Sequence, residues 1–278
     1  MKSSVRYLVA TALIIATFTC AAEDSESAKP HGKDFSTGTH TTSNTPLSVL
    51  PRDYQIAVQQ VTRFTHEQIS KQLTPIRTSN QDLIWNHSLD TPHVLVCTWT
   101  THDSYFASEK QPIGIPFTER FNVWVVVAPE LRAFYSQHRK QTSVKPITAR
   151  LEQLLGLPPN SGHRFIVELW VKPEDLFRPS ADPEITDSEA ELRFPEVTSY
   201  LSVSDEYKRW FEKTKAARYH PVSGPPYPWT RLGYTYDWGN PTAPFGLSEF
   251  VIREGAEIIV KSITRTEDYE TRTMDHSR

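Results

Sequence analysis

The sequence predicts an α+β fold, a single domain in which amphipathic helices pack against one mixed β-sheet. Three observations carry that prediction. Residues 93–101, 121–127 and 164–171 are short, β-branched, apolar runs suited to central strands. Four other stretches repeat apolar side chains every three or four residues, the mark of a helix with one buried face. Near the C-terminus, residues 248–253 and 257–263 read as a β-hairpin around Glu254-Gly255-Ala256, where Gly255 can take the positive φ that such turns use.

The N-terminus comes first in the chain and sets an expectation of export. Lys2 and Arg6 precede an apolar run from Tyr7 to Phe18, and the small residues Cys20, Ala21 and Ala22 follow it. Basic, apolar and small, in that order, is the layout of a secretory signal peptide over residues 1–22, and the run is too short to span a bilayer. A second reading makes Cys20 the first mature residue, acylated as a lipid anchor, although Thr17, Phe18 and Thr19 form a poor lipobox. Residues 23–47 carry almost no large apolar side chain and are expected to be a disordered polar leader. The globular domain then occupies residues 48–266, and residues 267–278 read as a frayed tail.

Charge narrows the partners. Removing Lys2 and Arg6 with the signal leaves 28 basic side chains against 33 acidic ones, a formal charge of −5, and no basic run interrupts it. A protein that binds phosphate backbones carries a positive face, so nucleic acid is not an expected partner. With Cys20 removed or acylated, Cys97 is the sole thiol and no intrachain disulfide can form.

Within the domain, Tyr54, Val58, Val61, Phe64 or Thr65, and Ile69 mark a helix over 51–73, with Pro51 in its first turn. His66-Glu67 begins like a zinc-protease motif, but Ser70 stands where the second His is needed. After the strands at 93–101 and 121–127, Ala128-Pro129-Glu130 opens a helix bearing Leu131, Phe134, Tyr135 and His138, and 147–155 forms another, stopped by Gly156. The order strand, helix, helix, strand permits a parallel crossover from 121–127 to 164–171. Asp182, Glu184, Asp187, Glu189 and Glu191 crowd one loop without the Gly and ligand order of a calcium loop, so no metal and no cofactor are expected. Ser204 caps a helix to about Tyr219, with Tyr207, Trp210, Phe211 and Thr214 as its buried stripe.

Candidate chemistry gathers in two places. Strand alternation puts Cys97 and Trp99 on one face of the first strand, Trp124 on one face of the second, and Glu168 and Trp170 on one face of the third, so the three tryptophans can share a face with Glu168. A carboxylate in an apolar strand must be paired or protonated; Arg231 or Arg178 would pair it, whereas a raised pKa would suit acid–base chemistry with Asp237 or Glu249. Cys97, with His102 and Asp103 following, is a candidate thiol nucleophile or a small buried hydrophobe. The second place is residues 225–241, where five aromatic rings, four prolines and two glycines make a stiff, ring-rich segment. Trp229, Tyr234, Tyr236 and Trp238 would stack on a glycan, cell-wall fragment or peptide, with Arg231 and Asp237 giving polar direction; otherwise the rings seal the sheet. The leading expectation is a noncatalytic exported binding module. Its rival is an exported hydrolase using Glu168 with Asp237 or Glu249, or the Cys97 thiol.

Overall fold

A computed structural model describes residues 46–101, 113–140, 145–196 and 202–269. The expected signal peptide, Cys20, most of the leader, His102, Asp103 and residues 270–278 lie outside them. Among the described residues, no helix is long and apolar enough to cross a membrane. The strands are β1 (Trp85–Asn86), β2 (His93–Thr100), β3 (Pro116–Thr118), β4 (Val123–Val127), β5 (Phe165–Val171), β6 (Leu176–Phe177), β7 (Tyr234–Tyr236), β8 (Phe245–Ile252) and β9 (Glu257–Arg265). They form one sheet in the order β3-β9-β5-β2-β4-β8-β6, with β1 beside β2 and β7 beside β8. The helices are α1 (Arg52–Val61), α2 (Ala128–Arg139), α3 (Ile147–Leu154) and α4 (Asp205–Tyr219). The fold is α+β, as the pattern predicts.

The sheet itself is antiparallel throughout rather than mixed. β4 and β5 do run the same way, as a crossover through α2 and α3 requires. They are not neighbours, because β2 is inserted between them and pairs antiparallel with both. The earlier strand in the chain thus satisfies the backbone edges that a parallel pair would have used.

The expected C-terminal hairpin is absent: β8 pairs with β4, and β9 pairs with β3 and β5. The turn at Glu254-Gly255 bends one long strand instead of folding it back on itself. Thr118 pairs with Glu257 and Val123 with Ile252, five residues on along both strands, so the two ladders share one register. Between them Glu119 N–H donates to the Ala256 carbonyl at 2.8 Å and Gly255 N–H to the Glu119 carbonyl at 2.9 Å. Residues 116–127 and 245–265 are therefore two bent strands that pair through both halves. Since β9 also pairs with β5, β5 with β2, and β2 with β4, the pairings return to their start and close a ring. Closure removes edges that would otherwise invite strand addition.

Pleating sorts side chains inside and outside that ring. Val94, Val96, Val125, Val127, Val167, Leu169, Val171, Phe250, Ile252, Ile258 and Val260 share the inner core. The outer face of β2, β4 and β5 carries Leu95, Cys97, Trp99, Val126 and Ile166, covered by Leu131 and Tyr135 of α2 and Leu151 and Leu154 of α3. α4 begins where Ser204 predicts, its hydroxyl accepting the Tyr207 N–H at 3.1 Å. α1, in contrast, stops twelve residues short of the expected end. Arg231 Nη2 takes the Val61 carbonyl at 3.0 Å, and Thr65 and Gln68 then form a capping box on a separate short turn. The chain's end holds longer than expected, since Tyr269 is buried at 1 % exposure.

Candidate functional site

One rung crosses the outer face of the sheet: Glu168 pairs with Cys97, Cys97 with Val126, and Val126 with Glu249. Paired residues point to the same side, so this register also sets Trp99, Trp124 and Trp170 on that face, with Glu168 among them. The two residues stand at opposite ends of the rung, about 14 Å apart counted along it as three strand spacings. Glycosidase acids flank one bond about 5–9.5 Å apart, whereas two strands, β2 and β4, lie between these two residues along the rung.

Glu168 is an ion-pair centre, but not with Arg231 or Arg178. Arg132 from α2 donates through Nη2 at 2.5 Å and Nε at 3.2 Å, and Lys261 Nζ at 2.8 Å, Ser262 Oγ at 3.0 Å and Tyr269 Oη at 2.9 Å complete the set. A β-bulge between Glu168 and Leu169 makes this geometry, because it lets two consecutive residues of β9, Lys261 and Ser262, reach one carboxylate. Burial pushes the Glu168 carboxyl up, but the hydrogen bonds and charges of Lys261 and Arg132 outweigh it and hold the group below its usual range. A raised pKa for acid catalysis is thereby overturned. Arg178 instead lies wholly buried over the Phe250 ring, holding the acidic loop through the Glu184 and Asp187 carbonyls at 3.0 and 2.9 Å.

The Glu249 end is different. A cleft of about 500 Å³ opens there between the outer face of β2 and β4, the α3–β5 loop, α4 and residues 227–236. Trp99, Trp124 and Trp229 are among its walls. Trp229 meets Trp124 edge-to-face at 5.7 Å and packs on Phe211 of α4 at 5.2 Å. Its indole N–H is buried without a hydrogen-bond partner, and so is Glu249 Oε2. Burial pushes the Glu249 carboxyl up to about 8, against the pull of the Arg218 charge and the nearby Trp229 indole. Arg218 lies over the Trp124 ring at 5.2 Å and the Tyr227 ring at 4.9 Å, and no carboxylate among the described residues pairs with it. His163, tilted against Trp99 at 5.0 Å, is held by burial below its usual pKa. Cys97 reaches the same cleft, yet its thiol donates to the Val126 carbonyl at 3.6 Å, and burial, with the Glu168 charge, pushes its pKa far up. That environment disfavours the thiolate a nucleophile needs.

The aromatic segment is a buried spine. Tyr234 and Tyr236 are each 2 % exposed. Tyr234 Oη donates to the Gln68 carbonyl at 2.9 Å, Tyr236 Oη bonds the Gln60 side chain, and Trp238 Nε1 donates to the Leu157 carbonyl at 3.0 Å. Trp238 also meets Tyr54 of α1 edge-to-face at 5.6 Å. Asp237 points the other way and takes both Arg150 nitrogens, at 2.9 and 2.5 Å. Thr235 beside it donates to the Leu154 carbonyl at 2.7 Å. Arg231, at φ 61°, reaches the end of α1 instead of the cleft. Gly233 is required twice over, by φ +69° and by Arg178 Cδ, which a Cβ there would meet at 2.6 Å. The segment thus spans from α1 to α3, and Trp229 is the expected stacking residue that combines a cleft wall with an unused polar atom.

Arg218, Tyr227 and His163 are site residues that the expectations lacked. Arg218 did leave a trace, since it continues the stripe Tyr207, Phe211, Thr214 at helical spacing toward the C-terminus of α4. Comparison with protein-family models, with curated proteins and with solved structures found no match.

Proposed function

We propose that this is an exported, noncatalytic binding protein that holds a small ring-bearing ligand in the cleft under Trp229. One observation carries the reading. Trp85, Trp99 and Trp238 each place the indole N–H on an acceptor, whereas the Trp229 N–H, in a cleft-lining residue only 6 % exposed, has Glu249 near it but no completed hydrogen bond. A buried donor left unmade is costly, and a ligand acceptor relieves it. About 500 Å³ suits a molecule of mono- or disaccharide or dipeptide size, and aromatic walls with a few polar groups are the usual make-up of such sites. The carboxylates of the hydrolase reading are dispersed, with Glu168 and Asp237 committed to Arg132, Lys261 and Arg150. Export rests on the signal-like residues 1–22.

A thermal-shift screen of mono- and disaccharides, cell-wall fragments and dipeptides tests the binding reading. At least one class should raise the midpoint by a few degrees, as saturating ligand does, and Trp229→Ala should abolish the shift. Failure of every class at millimolar concentration removes the reading. Export is checked separately by N-terminal sequencing: a mature chain starting at Glu23, or at an acylated Cys20, is expected, and an intact Met1 in the cell would refute it.

A further inference from the structure

Building on the reading of the cleft as a ligand site, we infer that its ligand is a ring-bearing carboxylic acid whose carboxylate is taken up by Arg218, the Trp229 N–H and the Glu249 side chain. Three polar groups of the cleft lie together without a completed hydrogen bond among them: Trp229 Nε1 and Glu249 Oε2 interact but stay short of one, and Arg218 has two ring faces but no carboxylate at ion-pair distance among the described residues. Arg218 rests on Trp124, Trp124 touches Trp229, and Glu249 sits on β8 opposite Val126, two residues from Trp124 along β4. A planar guanidinium already held over two rings has little freedom left to lose on binding, and its fork matches a carboxylate. Trp229 offers a second donor. Glu249 offers a third while it holds its proton, so two ligand oxygens face donors only, and the ligand's ring has Trp99, Trp124 and Trp229 for contact.

The alternative, a neutral polyol, fits less well. It would leave the Arg218 charge uncompensated beside the apolar wall. Two kinds of ring carry the same carboxylate chemistry, an aromatic acid and a uronic acid, and the test has an arm for each.

The pH dependence follows from the groups around Glu249. These are Arg218 from α4, Cys97 from β2, His163 from the α3–β5 loop, and Tyr227, Tyr234 and Tyr236 from the aromatic segment. Burial keeps His163 and Cys97 uncharged near neutrality, and it raises Tyr234 and Tyr236 further from ionisation. Glu249, released near pH 8, is thus the group that turns the site against an anion as the pH rises.

The experiment is quenching of intrinsic tryptophan fluorescence in the mature chain at pH 6.5. The probes are 3-phenylpropanoate against 3-phenylpropanamide, and glucuronate against glucose. The acid should bind at least tenfold tighter than its neutral partner in one arm. Arg218→Met should remove that preference and Arg218→Lys restore part of it, with near-UV circular dichroism confirming the fold of each. Raising the pH to 9.5 should weaken the acid at least fivefold in the wild type and less than twofold in Glu249→Gln. If the neutral partner binds as well as the acid in both arms, the carboxylate inference fails while the cleft stands as a binding site. If no probe quenches at 10 mM, both fall.

Discussion

Glu168 and Glu249 occupy the two ends of one rung, on the same face of the same sheet, and the chain treats them in opposite ways. Five hydrogen bonds from Arg132, Lys261, Ser262 and Tyr269 enclose Glu168. Glu249 faces a cleft with one oxygen unpartnered. The difference lies in what packs above each end. α2 brings Arg132 over Glu168, and the β9 bulge adds Lys261 from the side; over Glu249 lie the Trp229 ring and the pinned Arg218, which bring donors near without closing the contact. Full satisfaction makes a structural node, and incomplete satisfaction makes room for a ligand.

The largest effect expected from breaking this contrast is at the satisfied end. Glu168→Gln keeps the shape but removes the charge that Arg132 and Lys261 answer. Stranding partly buried cations costs about 3 kcal/mol, tempered by the exposure of their outer ends. Urea denaturation should show that loss at pH 7. A loss under 1 kcal/mol would mean that the node is ornamental to stability.

The unsatisfied end should respond mainly through pH, and with the opposite sign. Glu168 has a folded pKa below its unfolded value, so its contribution is present above about pH 4.5 and lost as the pH falls through the folded value. Glu249 has a folded value near 8 against an unfolded 4.5. Between those limits the folded chain keeps a proton that the unfolded chain has released, so stability present below pH 4.5 drains away as the pH rises to about 8. Glu249→Gln should remove the drain. Its stability curve should meet the wild type near pH 4 and lie about 2 kcal/mol above it at pH 9, a figure reduced for the water that reaches the cleft. Parallel curves would show that Glu249 ionises normally.

Much of this contrast is readable in the chain, but only up to the point where distant residues meet. Alternation within 93–101, 121–127 and 164–171 is local, and it correctly groups Trp99, Trp124, Trp170 and Glu168 on one face. Helix starts at Ser204 and Pro129 are local too. What decides the partners of Glu168 is not local: Tyr269 comes from a stretch that composition marks as tail, and Lys261 depends on a bulge. The Glu254-Gly255 turn looks like a hairpin because short-range rules see Gly and flanking β-branched residues. They do not see that residues 116–126 are available to pair with both flanks at once. Ring content likewise cannot say whether a tyrosine lines a surface or a core; the hydroxyl partners of Tyr234 and Tyr236 settle that, and they lie over 160 residues away.

The smallest expected effect isolates a single N–H. Trp99 and Trp229 both line the cleft and are similarly buried, at 8 % and 6 % exposure. Trp99 Nε1 donates to the Thr266 hydroxyl at 2.8 Å, whereas Trp229 Nε1 has only Glu249 near it and completes no hydrogen bond. Changing either to Phe removes similar ring area, so the packing loss largely cancels in the comparison. What remains is that Trp99→Phe also strands the buried Thr266 hydroxyl, while Trp229→Phe relieves an unmade donor. Trp99→Phe should therefore be the more destabilising by about 1–2 kcal/mol in chemical denaturation. Ligand should reverse the ranking, because only the Trp229 change removes a group the ligand would use. Equal losses in the free protein would mean that the Trp229 N–H already has a partner, and the contrast between the two ends of the rung would lose its sharpest edge.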